Sequence, residues 1–374
     1  MKGIGYDIAV IGAGTFGAWI AWHLRRAGKR VQLVDAWGPA HARASSGGES
    51  RIIRMGYGAD AVYTRMAARS LELWKELFAA TGEHLFHRTG VLWMARETDA
   101  YSAATRQTLE AAGVDFDLLS ADDLRRRYPQ MRMADGYYGM LEPESGALMA
   151  RRAVMAVVND AVRSGVDYEL RAVASGEALD AAITVYACGP WLGKLFPQLL
   201  ADRIRPTRQE VFFFAPPTGD ARFSPSHLPV WIDFTDPRGP YGFPDLESRG
   251  FKLAFDRHGA PFDPDRGDRC ISSEGIAEAR SFLSERFPDL RDAPLCEARV
   301  CQYENTSNGD FLIDRHPERP DVWLVGGGSG HGFKHSAAIG EAIAQEIAGK
   351  TVTLDLSAFR LGRLDEPSTG GHAC

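Results

Sequence analysis

Residues 7–36, DIAVIGAGTFGAWIAWHLRRAGKRVQLVDA, decide the fold. A nearly uncharged run enters a turn carrying Gly12, Gly14 and Gly17, continues as an apolar helix that Gly28 closes, and returns as RVQLVD, ending on Asp35. This is G-x-G-x-x-G between a strand and a helix, with an acid at the end of the next strand. The glycines allow the helix N-terminus to approach a pyrophosphate, and the acid can accept hydrogen bonds from a ribose. Thr15 and Phe16 in the turn and Ala36 behind the acid complete this set of candidate contacts. The fingerprint predicts dinucleotide binding but does not separate NAD from FAD.

Working outward, residues 61–80 carry an apolar stripe at helical spacing, with Gly82 behind. Further helices are expected at 99–112, at 120–127 (where Ser120 and Asp123 suggest a capping box), at 151–164, at 273–287 and at 335–348. EVFFFAP, PVWIDF and GFKLAF, between residues 205 and 270, are strand-like runs separated by Pro, Gly and Asp, and suggest an antiparallel sheet. Short strands are expected around 185–189, 297–303 and 322–326, and the connection from Tyr168 to Val185 reads as short. The order α/β, mixed β, α/β predicts an α/β (α+β) fold with a discontinuous Rossmann-like FAD-binding domain (1–85, 140–204 and 300–374). The inserted substrate-binding domain (86–139 and 205–299) is expected on a mixed or antiparallel sheet.

In a chain of 374 residues, a net charge of −6 gives no support for nucleic-acid or membrane-surface binding, and neither partner is expected. The charge-poor stretch from Ile8 to Trp22 is too short to span a bilayer and lacks a signal-peptide layout. Five cysteines, an odd number with no C-x-x-C pair, fit a reducing compartment, and the expected location is the cytoplasm. No metal site is expected. Seven of the 43 basic residues are lysines, so a lysine says more here than an arginine.

Two loops refine the cofactor. DVWLVGGGSGHGFKHSAAIGEAIAQEIAG (321–349) is a strand, a glycine loop and a helix; its backbone N–H groups and helix N-terminus suit the electron-rich end of a flavin, which favours FAD. SSGGESRIIR (45–54) sets Arg51 and Arg54 three apart behind small residues. It reads either as a solvated loop or as an anion site whose close backbone needs Gly47 and Gly48.

With these loops in hand, the chain resembles the monomeric sarcosine oxidase and N-methyltryptophan oxidase family of D-amino-acid-oxidase-like flavoproteins. The resemblance lies in VDAWGPAHARASSGGESRIIRMGYG, EPESGAL, YACGPW, YGFP, FKLAF, VCQYENTSNGDFLIDRHPE and GSGHGFKHS, which appear in family order across nearly the whole chain.

The resemblance implies an FAD contact set of the fingerprint residues with Ser45, Ser46, Ile52, Gly189, Trp191, Gly330, His331, Gly332, Phe333 and Lys334. It implies Arg51 beside the flavin, a substrate carboxylate clamped by Arg54 and Lys334, Lys252 promoting reaction with O2, and Cys301 as a covalent thioether attachment. Tyr241 would line the substrate cavity, and Tyr241 and Asp256 are candidates for tuning the amine. The family carries histidines where this chain has Ser46, Gly47 and Asp256, which points away from sarcosine itself toward a larger secondary amine, an imino acid or a biosynthetic intermediate. The expected activity is oxidation of a secondary or N-methyl amino acid to an imine by a monomeric enzyme, with O2 reduced to hydrogen peroxide. A dehydrogenase or desaturase using another acceptor, and a non-catalytic dinucleotide-binding protein, are the alternatives.

Overall fold

A computed structural model describes residues 5–366; Cys374, for which the sequence suggests no role, lies outside them. The opening stretch folds as read: strand Tyr6–Ile11, helix Thr15–Arg26 and strand Val31–Asp35. These strands pair in parallel within a six-stranded sheet ordered Leu312–His316, Arg319–Gly326, Ala181–Tyr186, Tyr6–Ile11, Val31–Asp35, Asp167–Leu170. Only the pair Leu312–His316 and Arg319–Gly326 is antiparallel. The short connection noted at Tyr168–Val185 is real: residues 171–180 carry the chain past two intervening strands without a helix.

The C-terminal helix Ser336–Ile347 lies on the fingerprint helix so closely that a Cβ at Gly340 would sit 2.8 Å from the Trp19 backbone. Thr15 Oγ1 donates to Ser336 Oγ at 2.8 Å, joining the two helix starts. Thus chain segments far apart in sequence share one core, which includes Trp19, Trp74 and Ile339.

The second sheet has eight strands in the order Leu295–Thr306, Ile204–Phe214, Phe251–Phe255, Pro240–Phe243, Val230–Asp233, Val91–Arg96, Tyr137–Glu142, Asp117–Leu119. It is antiparallel except where Val91–Arg96 runs parallel to Val230–Asp233, so the region read as antiparallel belongs to a mixed sheet. Val91–Arg96 is buried along its first five residues and was not expected as a strand; an unbroken apolar run lacks the alternation that marks a half-exposed one. Helix Ser273–Arg286 covers one face, where Phe282 and Phe251 both stack on Trp231. The domain boundaries expected at residues 140 and 300 fall inside the strands Tyr137–Glu142 and Leu295–Thr306.

A three-stranded sheet of Arg51–Ile53, Gly146–Leu148 and Phe86–His87 ties SSGGESRIIR to EPESGAL. The other expected helices lie within a residue of expectation, and the Ser120–Asp123 capping box is present; the one-turn helices Leu192–Leu195 and Pro197–Leu200 were not expected.

Candidate active site

The fingerprint glycines differ in what they allow. Gly12 has φ +102°, and a Cβ there would sit 2.3 Å from the Ala187 carbonyl; a Cβ at Gly17 would sit 1.8 Å from the Gly12 carbonyl. Both permit close backbone packing. At Gly14 a Cβ would meet only Ser46 Oγ, at 3.6 Å, which leaves the helix N-terminus approachable from the cavity. Asp35 is fixed from behind: Ala13 N donates to Oδ2 at 2.7 Å, and Trp37 N and Gly38 N donate to Oδ1 at 2.8 Å.

These residues open onto a cavity of about 360 Å³. Gly12, Gly14, Thr15, Phe16, Asp35, Ala36, Ser45, Ser46, Arg51, Gly189, Trp191, Gly330, Gly332 and Phe333 all line it. A second cavity, about 40 Å³, is lined by Ser50, Arg51, Ile52, Arg54, Tyr241, Phe243, Lys252, Tyr303, Gly330, His331, Phe333 and Lys334. The two share Arg51, Tyr303, Gly330 and Phe333. Of the expected site residues, Gly17, Cys301 and Asp256 line neither. Gly17 is packed against backbone, and Asp256 follows strand Phe251–Phe255 and acts on the Tyr241 phenol through its charge. Cys301 Sγ lies behind the wall, 3.6 Å from an Arg51 Nη2 donor and 3.9 Å from the Ser45 carbonyl.

The two arginines are held differently: Arg51 lines both cavities and Arg54 only the smaller one. Arg51 donates to the Ser45 and Ser50 carbonyls at 2.5 and 2.8 Å and folds back over Gly48, where a Cβ would meet its Nη1 at 2.6 Å. At Gly47 a Cβ would sit 2.1 Å from the His41 carbonyl, so both glycines make room for protein atoms. Arg54 is fully buried: its guanidinium stands over the rings of Tyr57 and Trp93, 4.4 and 4.6 Å from their centres, and donates to the Gly56 carbonyl. Glu49, in the same loop, pairs with Arg249 and Arg299.

Lys334 is buried and donates to Tyr57 Oη at 2.8 Å, and His335 Nε2 shares a 2.8 Å hydrogen bond with the same hydroxyl. His331 faces the Gly309 carbonyl at 3.1 Å. Lys252 is 3% exposed and donates to the Ser50 carbonyl and hydroxyl at 2.9 and 3.1 Å, above the Phe243 ring. Burial, and then the Arg51 cation, hold its ammonium well below the ordinary lysine range. Burial also pushes the Tyr241 phenol up, against the opposing pull of Arg51.

Several neighbours escaped sequence reasoning. Tyr57 stands in the RMGYG match, but nothing marked its hydroxyl as the junction of Lys334 and His335. Glu142, in EPESGAL, accepts from Met55 N, Gly56 N, Trp93 Nε1 and Ser145 Oγ, and so holds the platform under Arg54. Tyr303, hydrogen-bonded to Tyr241, and Glu304 stand beside Cys301 and line the cavities it does not reach.

A glycine-fingerprint cavity opening beside a small, cation-lined one is the arrangement of a dinucleotide-dependent oxidoreductase. The family described as FAD dependent oxidoreductase matches residues 7–346, and this chain belongs to it. The chain is 33% identical to a monomeric sarcosine oxidase of Bacillus sp. (strain B-0618), with 96% of each covered. It is 29% identical to an N-methyl-L-tryptophan oxidase of Salmonella heidelberg (strain SL476), covering 96% of this chain and all of that one. Among solved structures, the L-proline dehydrogenase from P. horikoshii superimposes with a TM-score of 0.85 at 20% identity, over 96% of this chain and 97% of that one. The protein is thus an FAD-dependent oxidoreductase of the sarcosine oxidase-like type. Its own residues fit the cofactor: the helix N-terminus is uncovered at Gly14, Asp35 is held at the end of its strand, and Ser45 Oγ and Glu304 Oε2 are buried beside the cavity with no hydrogen-bond partner among the described residues. No described helix is long and apolar enough to cross a membrane.

Proposed function

We propose that this protein is an amine oxidase acting on a secondary or N-methyl amino acid or a cyclic imino acid. The observation that carries the reading is the convergence of Arg54 and Lys334, from opposite ends of the chain, on one buried cavity, joined through Tyr57. A buried arginine and a buried lysine lining one small cavity suit a substrate acid group, which would orient the molecule in a single pose. FAD supplies a two-electron acceptor for the hydride equivalent leaving the carbon beside the amine.

The remaining residues bind, orient and screen. Gly12, Gly14, Asp35, Ser45, Ser46 and Trp191 would hold FAD, and Cys301 would attach it through sulfur with Arg51 beside it. The walls of Phe243, Tyr303 and Tyr241 exclude water and favour a neutral amine, and Tyr241 can share a hydrogen bond with it. Lys252 offers a positive charge to an anion developing on oxygen, for which O2 is the proposed acceptor, giving hydrogen peroxide. The test is a panel of N-methyl and cyclic amino acids, scored for anaerobic bleaching of the flavin and then for peroxide when air is admitted. Bleaching without peroxide would make the protein a dehydrogenase, and no bleaching by any carboxylated amine would remove the reading.

A further inference from the structure

Glu304 is a buried acid that the reading above does not use. It lies on strand Leu295–Thr306, three residues after Cys301, and lines the larger cavity. One carboxyl oxygen, Oε1, accepts from Gly328 N at 3.1 Å. The other, Oε2, stands in front of Gly189, where a Cβ would be 2.8 Å away, and has no hydrogen-bond partner among the described residues. A buried carboxyl oxygen left without a partner is costly, so its place beside a ligand cavity calls for a ligand atom.

The surroundings decide which form of the acid meets that ligand. The Ala187–Gly189 turn brings the Cys188 thiol, whose ionisation is suppressed by burial and by the carboxyls of Asp35 and Glu304. The glycine loop brings the Gly328 N–H, while its His331 is turned to the Gly309 carbonyl. The paired strand brings Pro206 opposite Glu304. None of these supplies a cation. Burial raises the Glu304 pKa to about 7, with only the Gly328 N–H opposing. An anionic ligand nearby would favour the neutral acid further.

We propose that Glu304 is a cofactor-binding residue whose second carboxyl oxygen donates a hydrogen bond to an electron-rich oxygen of bound FAD, where the Gly189 turn meets the C-terminal glycine loop. This rests on the assignment of FAD to the larger cavity. It makes cofactor binding proton-linked: FAD binds with Glu304 protonated, and affinity falls as pH rises past neutrality. In Glu304→Gln the amide donates at every pH, so that dependence disappears.

The experiment titrates apo-protein with FAD at about pH 6 and about pH 9, following flavin fluorescence, in a Cys301→Ser background so that binding is reversible. The parent should bind tenfold or more weakly at the higher pH. Cys301→Ser/Glu304→Gln should bind equally at both, close to the parent's acidic value. His41, which lines the same cavity and which burial holds below its usual range, is present in both proteins and cancels in the comparison. An infrared difference spectrum on FAD binding should show a carboxylic acid band in the parent that the Gln variant lacks. Equal affinity of the parent at both pH values overturns the proposal whatever the variant does, as does the same pH slope in both proteins. Failure of the parent to bind FAD at either pH overturns the cofactor assignment itself.

Discussion

Lys334 donates to the hydroxyl of Tyr57 at 2.8 Å, and the face of that same ring lies 4.4 Å from the Arg54 guanidinium. One aromatic residue therefore sets the separation of the two cations assigned to the substrate carboxylate. Arg54→Ala should weaken binding of simple carboxylate inhibitors by about tenfold to a hundredfold, the equivalent of roughly 1.5–3 kcal/mol for a charge-assisted hydrogen bond. Tyr57→Phe keeps the ring under Arg54 and removes the hydroxyl that Lys334 and His335 share, so a smaller loss is expected. Inhibitor titration of the flavin absorbance measures both. Unchanged acid affinity in Arg54→Ala would return the arginine to a purely structural role.

Cys301 Sγ lies 3.6 Å from an Arg51 donor, behind the cavity wall that Arg51 forms. Wild-type protein precipitated in acid should keep its yellow colour, and Cys301→Ser should release free FAD under the same treatment. Arg51→Ala should slow incorporation and alter the flavin spectrum while leaving acid-inhibitor affinity less affected than Arg54→Ala does. Flavin that washes out of wild-type protein in acid would exclude the thioether.

The parallel sheet was legible because the fingerprint, Gly28 and Asp35 are local signals that survive tertiary packing. The arginine loop was legible in part. Its glycines announced a close approach, but the atoms that approach are the His41 carbonyl and the Arg51 guanidinium, contacts only the fold creates. Val91–Arg96 was not legible, since five successive buried residues leave no alternation to read. Glu142 was hidden for another reason. A surface acid and one that accepts four buried donors are written with the same letter, and its donors come from residues 55, 56, 93 and 145.

Lys252→Met should slow reoxidation of reduced flavin by O2 about 10²–10³-fold, with much less effect on reduction by substrate. The pH dependence has a definite sign. Burial and the Arg51 cation depress the lysine, so its charged form persists only below that lowered pKa. Reoxidation should be fastest on the acid side and slow as pH rises through a value well below the ordinary lysine pKa of about 10.4. Stopped-flow measurement of each half-reaction across pH decides this: equal slowing of both halves in Lys252→Met, or a flat profile in wild type, would remove Lys252 from the oxygen reaction.

Glu142 offers the sharpest structural test, because its oxygens are fully committed. Oε2 accepts from Met55 N at 2.7 Å and Ser145 Oγ at 2.6 Å; Oε1 accepts from Gly56 N at 3.1 Å and Trp93 Nε1 at 2.9 Å. In Glu142→Gln one end becomes an amide donor. A hydroxyl can rotate away from it, but a backbone N–H cannot, so whichever way the amide turns, a buried peptide donor among Met55 and Gly56 loses its acceptor. The expected cost is about 1–3 kcal/mol of stability, read from urea unfolding. The same change loosens the Gly56 carbonyl and the Trp93 face that hold Arg54, where a Cβ at Gly56 would already lie 2.4 Å from the indole. Glu142→Gln should therefore also weaken carboxylate inhibitors several-fold while FAD stays bound, since none of its four donors lines the larger cavity. A variant that loses stability but binds acids as tightly as wild type would show that Arg54 does not depend on this platform.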